Sequence, residues 1–252
     1  MKIIMKYNIS KLFYKDYYDK INFEYALKKC DSCKPSKQEN ITDNNEEIKK
    51  ANEKILNAEL VVINLPNEIS PKECRFKMKV QYPGLITGIG LIHDLKKVEK
   101  AFNLGMHFDY TYGMPIIYGS SIKGMLSSYF TDYCPEKFDS RKLKEDIFDS
   151  VKPKFEQDVF FDAVILKANP NCKFLETDSI TPHGKDPLTN PIPITMLKIA
   201  AGTTIEFRFK LFESKISQQI ITIEDKLSIF KDILRNVGIG AKTNVGYGQL
   251  KG

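Results

Sequence analysis

Residues 113–124 read GMPIIYGSSIKG, and the fold turns on this stretch. Met114–Tyr118 has the composition of a short strand. The chain then enters GSSIKGMLSSYF, residues 119–130, which reads as a turn followed by a helix. Ser120 or Ser121 is a natural N-cap, because a short hydroxyl side chain can accept one of the helix's unpaired first N–H groups. Ser120, Ser121 and the backbone N–H groups at such a helix start can also receive phosphate oxygens. Lys123 and Gly124 suit the same task. Taken alone, the segment equally describes an ordinary capped helix.

The second informative stretch is Gly238–Gly248, GIGAKTNVGYG, with glycine at 238, 240, 246 and 248. Glycine permits positive φ and close backbone approach, and Lys242 adds charge. A helix precedes this loop and a strand follows it. A dinucleotide or phosphate loop of a nucleotide hydrolase needs the reverse order. Nucleotide hydrolysis is therefore excluded as an expectation.

Around these two motifs the chain changes character. Ile9, Leu12, Phe13, Tyr17, Ile21, Tyr25 and Leu27 recur at roughly helical spacing. Residues 31–50 are polar and read as a mobile connection, and residues 45–58 as a second helix. From residue 74 strands dominate. CRFKMKVQY (74–82) alternates, and DVFFDAVILK (158–167) is rich in aromatic and β-branched residues. Residues 192–200 and 203–212 read as strands joined by Ala201-Gly202. Residues 223–236 form an amphipathic helix with Leu227, Phe230 and Leu234 on its buried face. Strands mixed with two helices, outside any regular βαβαβ series, predict an α+β fold with an antiparallel sheet and helices on one face. The expected division is 1–70, a helical extension with a polar linker, and 71–252, the main domain.

The chain has 252 residues and 42% hydrophobic content, enough to bury a substantial core. Its net charge of +6 permits polyanion binding without establishing it. No run of 18 apolar residues predicts a membrane span, and the first residues lack the pattern of a signal peptide. Five scattered cysteines do not make a disulfide framework, so a cytoplasmic setting is expected. Cys30 and Cys33 have metal or redox spacing but no second pair, so no metal or cofactor is expected.

The two glycine motifs together resemble the RAMP superfamily of CRISPR–Cas proteins. In that family a G-x-P-x-I-P-G-S-S-hydrophobic-K-G segment opens the first helix and a glycine-rich loop lies near the C-terminus. Here Tyr118 stands where proline is usual. Four further stretches resemble the sixth-subunit family of the type III-B, or Cmr, effector. They are Asn8–Tyr18, Phe160–Ala163, Asp178–His183 with its D-x-x-x-P-H pattern, and Asn190–Ile194. Gly184 departs from the aromatic usual after that histidine.

The resemblance implies a ferredoxin-like (RRM-like) RAMP fold and a non-catalytic RNA-binding subunit that holds guide RNA and caps the subunit filament in antiviral defence. Its partners would be CRISPR guide RNA, target RNA and other Cmr effector subunits, with no membrane. Gly119, Ser120, Ser121, Lys123, Gly124, Gly238, Gly240, Lys242, Thr243, Asn244, Gly246 and Gly248 would line one surface for RNA phosphates. Tyr247 would pack in the core or else stack on a base, and 163–195 would form a protrusion that contacts the RNA or a neighbouring subunit. Of three histidines, His93 and His107 lie near Asp94 and Asp109, an arrangement that more often orders a polar loop than performs acid–base work. The chain also resembles the backbone subunits of type III effectors, which implies the rival reading of a metal-dependent endoribonuclease that cleaves target RNA with Asp109 or Asp94, a lone carboxylate near the scissile phosphate holding a divalent ion. A third reading is a pure assembly protein.

Overall fold

The structure is a computed structural model that describes residues 8–19, 38–91, 100–149, 152–181 and 193–252. The helices are α1 (Ile9–Lys11, continued by π-helical turns over Leu12–Asp16), α2 (Gln38–Leu56), α3 (Gly119–Tyr133), α4 (Ser140–Phe148) and α5 (Ile223–Val237). The strands are β1 (Arg75–Val80), β2 (Ile116–Ile117), β3 (Val159–Phe160), β4 (Ala163–Lys167), β5 (Leu175–Ile180), β6 (Ile194–Ile199), β7 (Thr204–Lys210), β8 (Ser214–Ile216), β9 (Gln219–Ile221) and β10 (Leu250–Lys251).

Six strands form one sheet in the order β10-β1-β7-β4-β2, with β3 also pairing β7. Every pairing in it is antiparallel. Setting aside α4, the β5–β6 and β8–β9 hairpins and the two-residue strands β2 and β3, the elements β1, α3, β4, β7, α5 and β10 run as strand–helix–strand–strand–helix–strand. The expected mixture of helices with an antiparallel sheet is what the chain adopts. The alternation in β1 is the reason for its placement. Phe76, Met78 and Val80 are buried, while Lys77 and Lys79 point to the opposite face and are exposed.

β7 is the central strand, and its Phe207 and Phe209 are fully buried. Phe230 of α5 packs against Phe209 at 5.4 Å between ring centroids, and against Phe130 of α3 at 6.5 Å. α5 is set in register by a capping box. The Thr222 hydroxyl accepts the Asp225 N–H, and the Asp225 carboxylate accepts the Thr222 N–H. Lys226, on the same helix, is fully buried, and its Nζ donates to Asp158 Oδ2 at 2.6 Å and to the Phe212 carbonyl at 2.7 Å. Burial pushes the Asp158 carboxyl up and the Lys226 ammonium down, each against the pull of its partner.

The structure departs from the sequence expectations in several places. The strand expected over 158–167 is broken. β3 pairs with Phe209 and Lys210, β4 pairs with Thr204–Glu206, and Phe161-Asp162 turns between them. The break frees the Asp162 carboxylate to reach Gly119. The two strands flanking Ala201-Gly202 do not share a sheet. β6 pairs with β5, and Gly202, at φ +83°, lets the chain pass from that hairpin to β7. Asp178 therefore sits on a strand. The polar stretch 31–50 is helical from Gln38 on, because α2 places Ile48, Asn52 and Ile55 on one buried stripe. Helix α4 and the β8–β9 hairpin were not anticipated.

α1 and α2 are packed on the rest of the chain. Phe13 stacks on Phe102 at 5.8 Å. Tyr17 Oη donates to Asn52 Oδ1 at 2.6 Å and accepts the Phe102 N–H, while Asn52 Nδ2 donates to the Lys100 carbonyl. Tyr14 Oη bonds both the carbonyl and the N–H of Met106. The N-terminal helices thus fix segment 100–108, which carries His107. Among the described residues no helix is long and apolar enough to cross a membrane.

Candidate functional site

The segment after β1 is the hinge of the site. Gly84–Gly88 lies between β6 and the C-terminal glycine loop. Leu85 and Ile199 exchange backbone hydrogen bonds on one side. On the other, the Ala241 N–H reaches the Ile86 carbonyl at 2.9 Å and the Gly248 N–H reaches the Gly84 carbonyl at 2.8 Å. This sets the loop 238–248 beside the first turns of α3, which the strand β2 delivers. Between them opens a cleft of about 460 Å³. Thr87–Gly90 forms one wall; Ser121, Met125 and Tyr129 of α3 form the second; Gly238–Ala241 and Thr243 form the third. His107 also lines the cleft. Of the expected site residues, Ser121, Gly238, Gly240 and Thr243 therefore meet in one place, while Gly119, Ser120, Gly124, Gly246 and Gly248 are off the lining.

Their residues play different parts there. Gly119 lies against the backbone of Phe160, where an added Cβ would come within 2.2 Å of the carbonyl oxygen. Its N–H donates to Asp162 Oδ1 at 2.7 Å. The helix cap is Tyr118, whose carbonyl accepts the N–H groups of Ser121 and Ile122. Ser120 and Ser121 thus fall inside the helix, and a distant aspartate replaces the expected serine cap. Gly238, at φ +77°, and Gly248, at φ +71°, pack backbone to backbone, and Gly240 faces the Ile86 carbonyl. These glycines bring chain against chain. Gly124 and Gly246 are different. A Cβ at Gly124 would meet nothing within 4 Å, and one at Gly246 only Pro83 at 3.7 Å.

The cleft is hydrogen-bonding and apolar but carries no ionic side chain on its lining. Lys123 and Lys242 stand outside it, as does Asn244. Lys242 adopts a left-handed φ of +59°, and its carbonyl accepts the N–H groups of Val245 and Tyr247. The His107 ring stacks on Tyr118 at 4.1 Å. Burial lowers its pKa, opposed by the Asp162 charge, so the imidazole is neutral at pH 7, with one donor and one acceptor nitrogen.

A latch holds the glycine loop to the β5–β6 hairpin. Tyr247 Oη donates to Asp178 Oδ2 at 2.9 Å, and Lys198 Nζ donates to the same oxygen at 2.7 Å. Burial would raise the Asp178 carboxyl, but these bonds and the Ser179 N–H outweigh it and hold the group below its ordinary value. Burial and the adjacent carboxylate push the Tyr247 hydroxyl up to about 12. Tyr247 is thus half-buried and bonded, not a core residue.

Asp109 Oδ1 accepts the N–H groups of Thr111 and Tyr112 at 2.9 and 2.6 Å, closing its own turn. Asp94, His93, His183 and the pair Cys30/Cys33 lie outside the described residues. Among the described residues no three of His, Cys, Asp and Glu gather as a metal site. Sequence reasoning missed the wall Thr87–Gly90. Its signal is the spacing of Gly84, Gly88 and Gly90. It also missed Tyr82, 86% exposed beside the glycine loop.

The family model of the RAMP superfamily matches residues 77–251. No curated protein matches the chain. Among solved structures, a chain from the cryo-EM structure of the Type III-B Cmr-beta bound to cognate target RNA is 20% identical. The match covers 96% of this chain and 84% of that one, with a TM-score of 0.58, a likeness of fold. Cmr6 from Pyrococcus furiosus is 20% identical over 70% of this chain and 96% of that chain, with a TM-score of 0.35. A chain of a Type IV-B CRISPR complex is 13% identical over 70% and 88%, with a TM-score of 0.43.

Proposed function

Because the chain belongs to the RAMP superfamily, we propose that it is a non-catalytic, RNA-holding subunit of a type III-B CRISPR (Cmr) effector. We read its strand order, with the fourth strand beside the first and the third between first and second, as the ferredoxin-like arrangement. The observation that supports the reading is that Ser121 of the first motif and Gly238–Ala241 with Thr243 of the second line one cleft. Its lining offers backbone groups, hydroxyls and a neutral imidazole, which suit a ribose or base. Lys123 and Lys242, outside the lining, suit phosphates. Bare Gly124 and Gly246 leave room for a strand to lie close.

The partners are guide RNA, target RNA and neighbouring effector subunits, in the cytoplasm. The fold likeness to a chain of Cmr-beta, itself bound to cognate target RNA, supports this setting. The Asp109 carboxylate serves its own turn, which favours a holder over a ribonuclease.

Binding led by phosphates is tolerant of sequence and weakens with salt, because bound phosphates release counterions. Titrating unrelated single-stranded RNAs over a salt series tests this. Comparable affinities that fall steeply with salt are expected. A flat response, or selection of one short sequence, overturns the proposal.

A further inference from the structure

The sheet face turned away from α3 and α5 carries a row of lysines that no part of the cleft uses. Strand register places them. Lys79 of β1 stands opposite Lys251 of β10, and Lys79 and Lys167 of β4 are both partners of Thr204 on β7. Four neighbouring strands thus carry Lys251, Lys79, Thr204 and Lys167 in one line, about 4.8 Å apart per strand. Lys77 lies on the same face two residues along β1 from Lys79. All four lysines are exposed, and their ammonium groups make no hydrogen bond or ion pair among the described residues. The nearby acid Glu206, opposite Lys77, is held by Arg208 at 2.7 Å.

Like charges directly opposite each other destabilise a sheet. The pair Lys79/Lys251 therefore works against the fold and needs another reason. At the end of β1 the chain passes from this row through Gln81 to Tyr82, whose ring is 86% exposed. Pro83 lies against Gly246 of the glycine loop, so row, tyrosine and cleft are contiguous.

Resting on the reading that the chain handles RNA, we propose that Lys77, Lys79, Lys167 and Lys251 form a second RNA contact, a phosphate track for single-stranded RNA, with Tyr82 stacking a base between track and cleft. Charge and composition select this occupant over an acidic protein surface. Cores of protein interfaces are depleted in lysine, and no large apolar side chain is exposed within the row. A basic track with an aromatic platform is the general solution for single-stranded nucleic acid.

The test uses the full chain and labelled oligouridylate. Replacing three lysines together (K79Q, K167Q and K251Q) should make the logarithmic salt dependence of binding shallower by about 2, near 0.7 per lost phosphate contact. The three matching Lys→Arg changes should retain it, and thermal stability should not fall. Y82A should weaken binding without altering the salt slope. A cleft variant, S121D, is measured in parallel. Loss in S121D alone overturns the track and leaves the cleft. Loss in the lysine variant alone supports the track and overturns the cleft. An unchanged slope in the lysine variant, or tighter binding of polyglutamate than of oligouridylate by the wild-type chain, overturns the RNA track, the latter in favour of a protein face.

Discussion

Gly119 and Gly124 belong to one motif, yet the geometry gives them opposite consequences when each becomes alanine. At Gly119 the new Cβ would sit 2.2 Å from the Phe160 carbonyl oxygen, and that atom belongs to backbone held against β7. Neither side can yield cheaply, so overpacking should cost about 1–3 kcal/mol. At Gly124 the new Cβ meets nothing within 4 Å, and alanine in a helix interior should stabilise by about 1 kcal/mol. The two variants should therefore differ by about 2–4 kcal/mol. Urea unfolding reads this as midpoints moved in opposite directions at an unchanged slope. RNA binding adds the second half. G124A should weaken association although the protein is more stable, because a methyl group now stands where the strand lies. A neutral G119A would refute the packing argument. A G124A protein with wild-type RNA affinity would refute the role given to the bare helix face.

The latch makes a pH prediction. Asp178 has a depressed pKa when folded, so its contribution is present above the ordinary carboxylate value of 3.8 and is lost as pH falls below it. In D178N the acid loss of stability should be smaller than in wild type, and Y247F should destabilise by about 1 kcal/mol; pH-dependent thermal unfolding checks both. Cleavage is the other arm. With complementary target RNA and Mg²⁺, complexes assembled with D109A or D94A chains should give the wild-type product pattern. Loss of one defined cut with binding intact would make this chain a nuclease.

Much of the architecture was legible because its signals are local. The β1 alternation, the Leu227/Phe230/Leu234 stripe and the glycine loop each depend on residues close in sequence. What escaped depends on long-range partners. The break at Phe161-Asp162 exists because Asp162 caps a helix 43 positions away, and nothing in DVFFDAVILK marks it. The β5 strand was hidden because Glu176, Asp178 and Ser179 look like turn residues until β6 pairs with them. In the site, both motifs were visible, but not that Gly238 and Gly248 serve each other, nor that Thr87–Gly90 closes the cleft. The lysine row was invisible because register, not spacing, aligns Lys79, Lys167 and Lys251.

The central claim is that RNA lies in the cleft between α3 and the glycine loop. Purified effector complex containing this chain and photoreactive guide RNA, crosslinked and digested, tests it directly by mass spectrometry of the adducts. The account predicts adducts on peptides carrying His107, Tyr129 and Gly238–Gly248. Efficient crosslinks to neighbouring subunits, with none on these peptides although the chain is present in the complex, would contradict it.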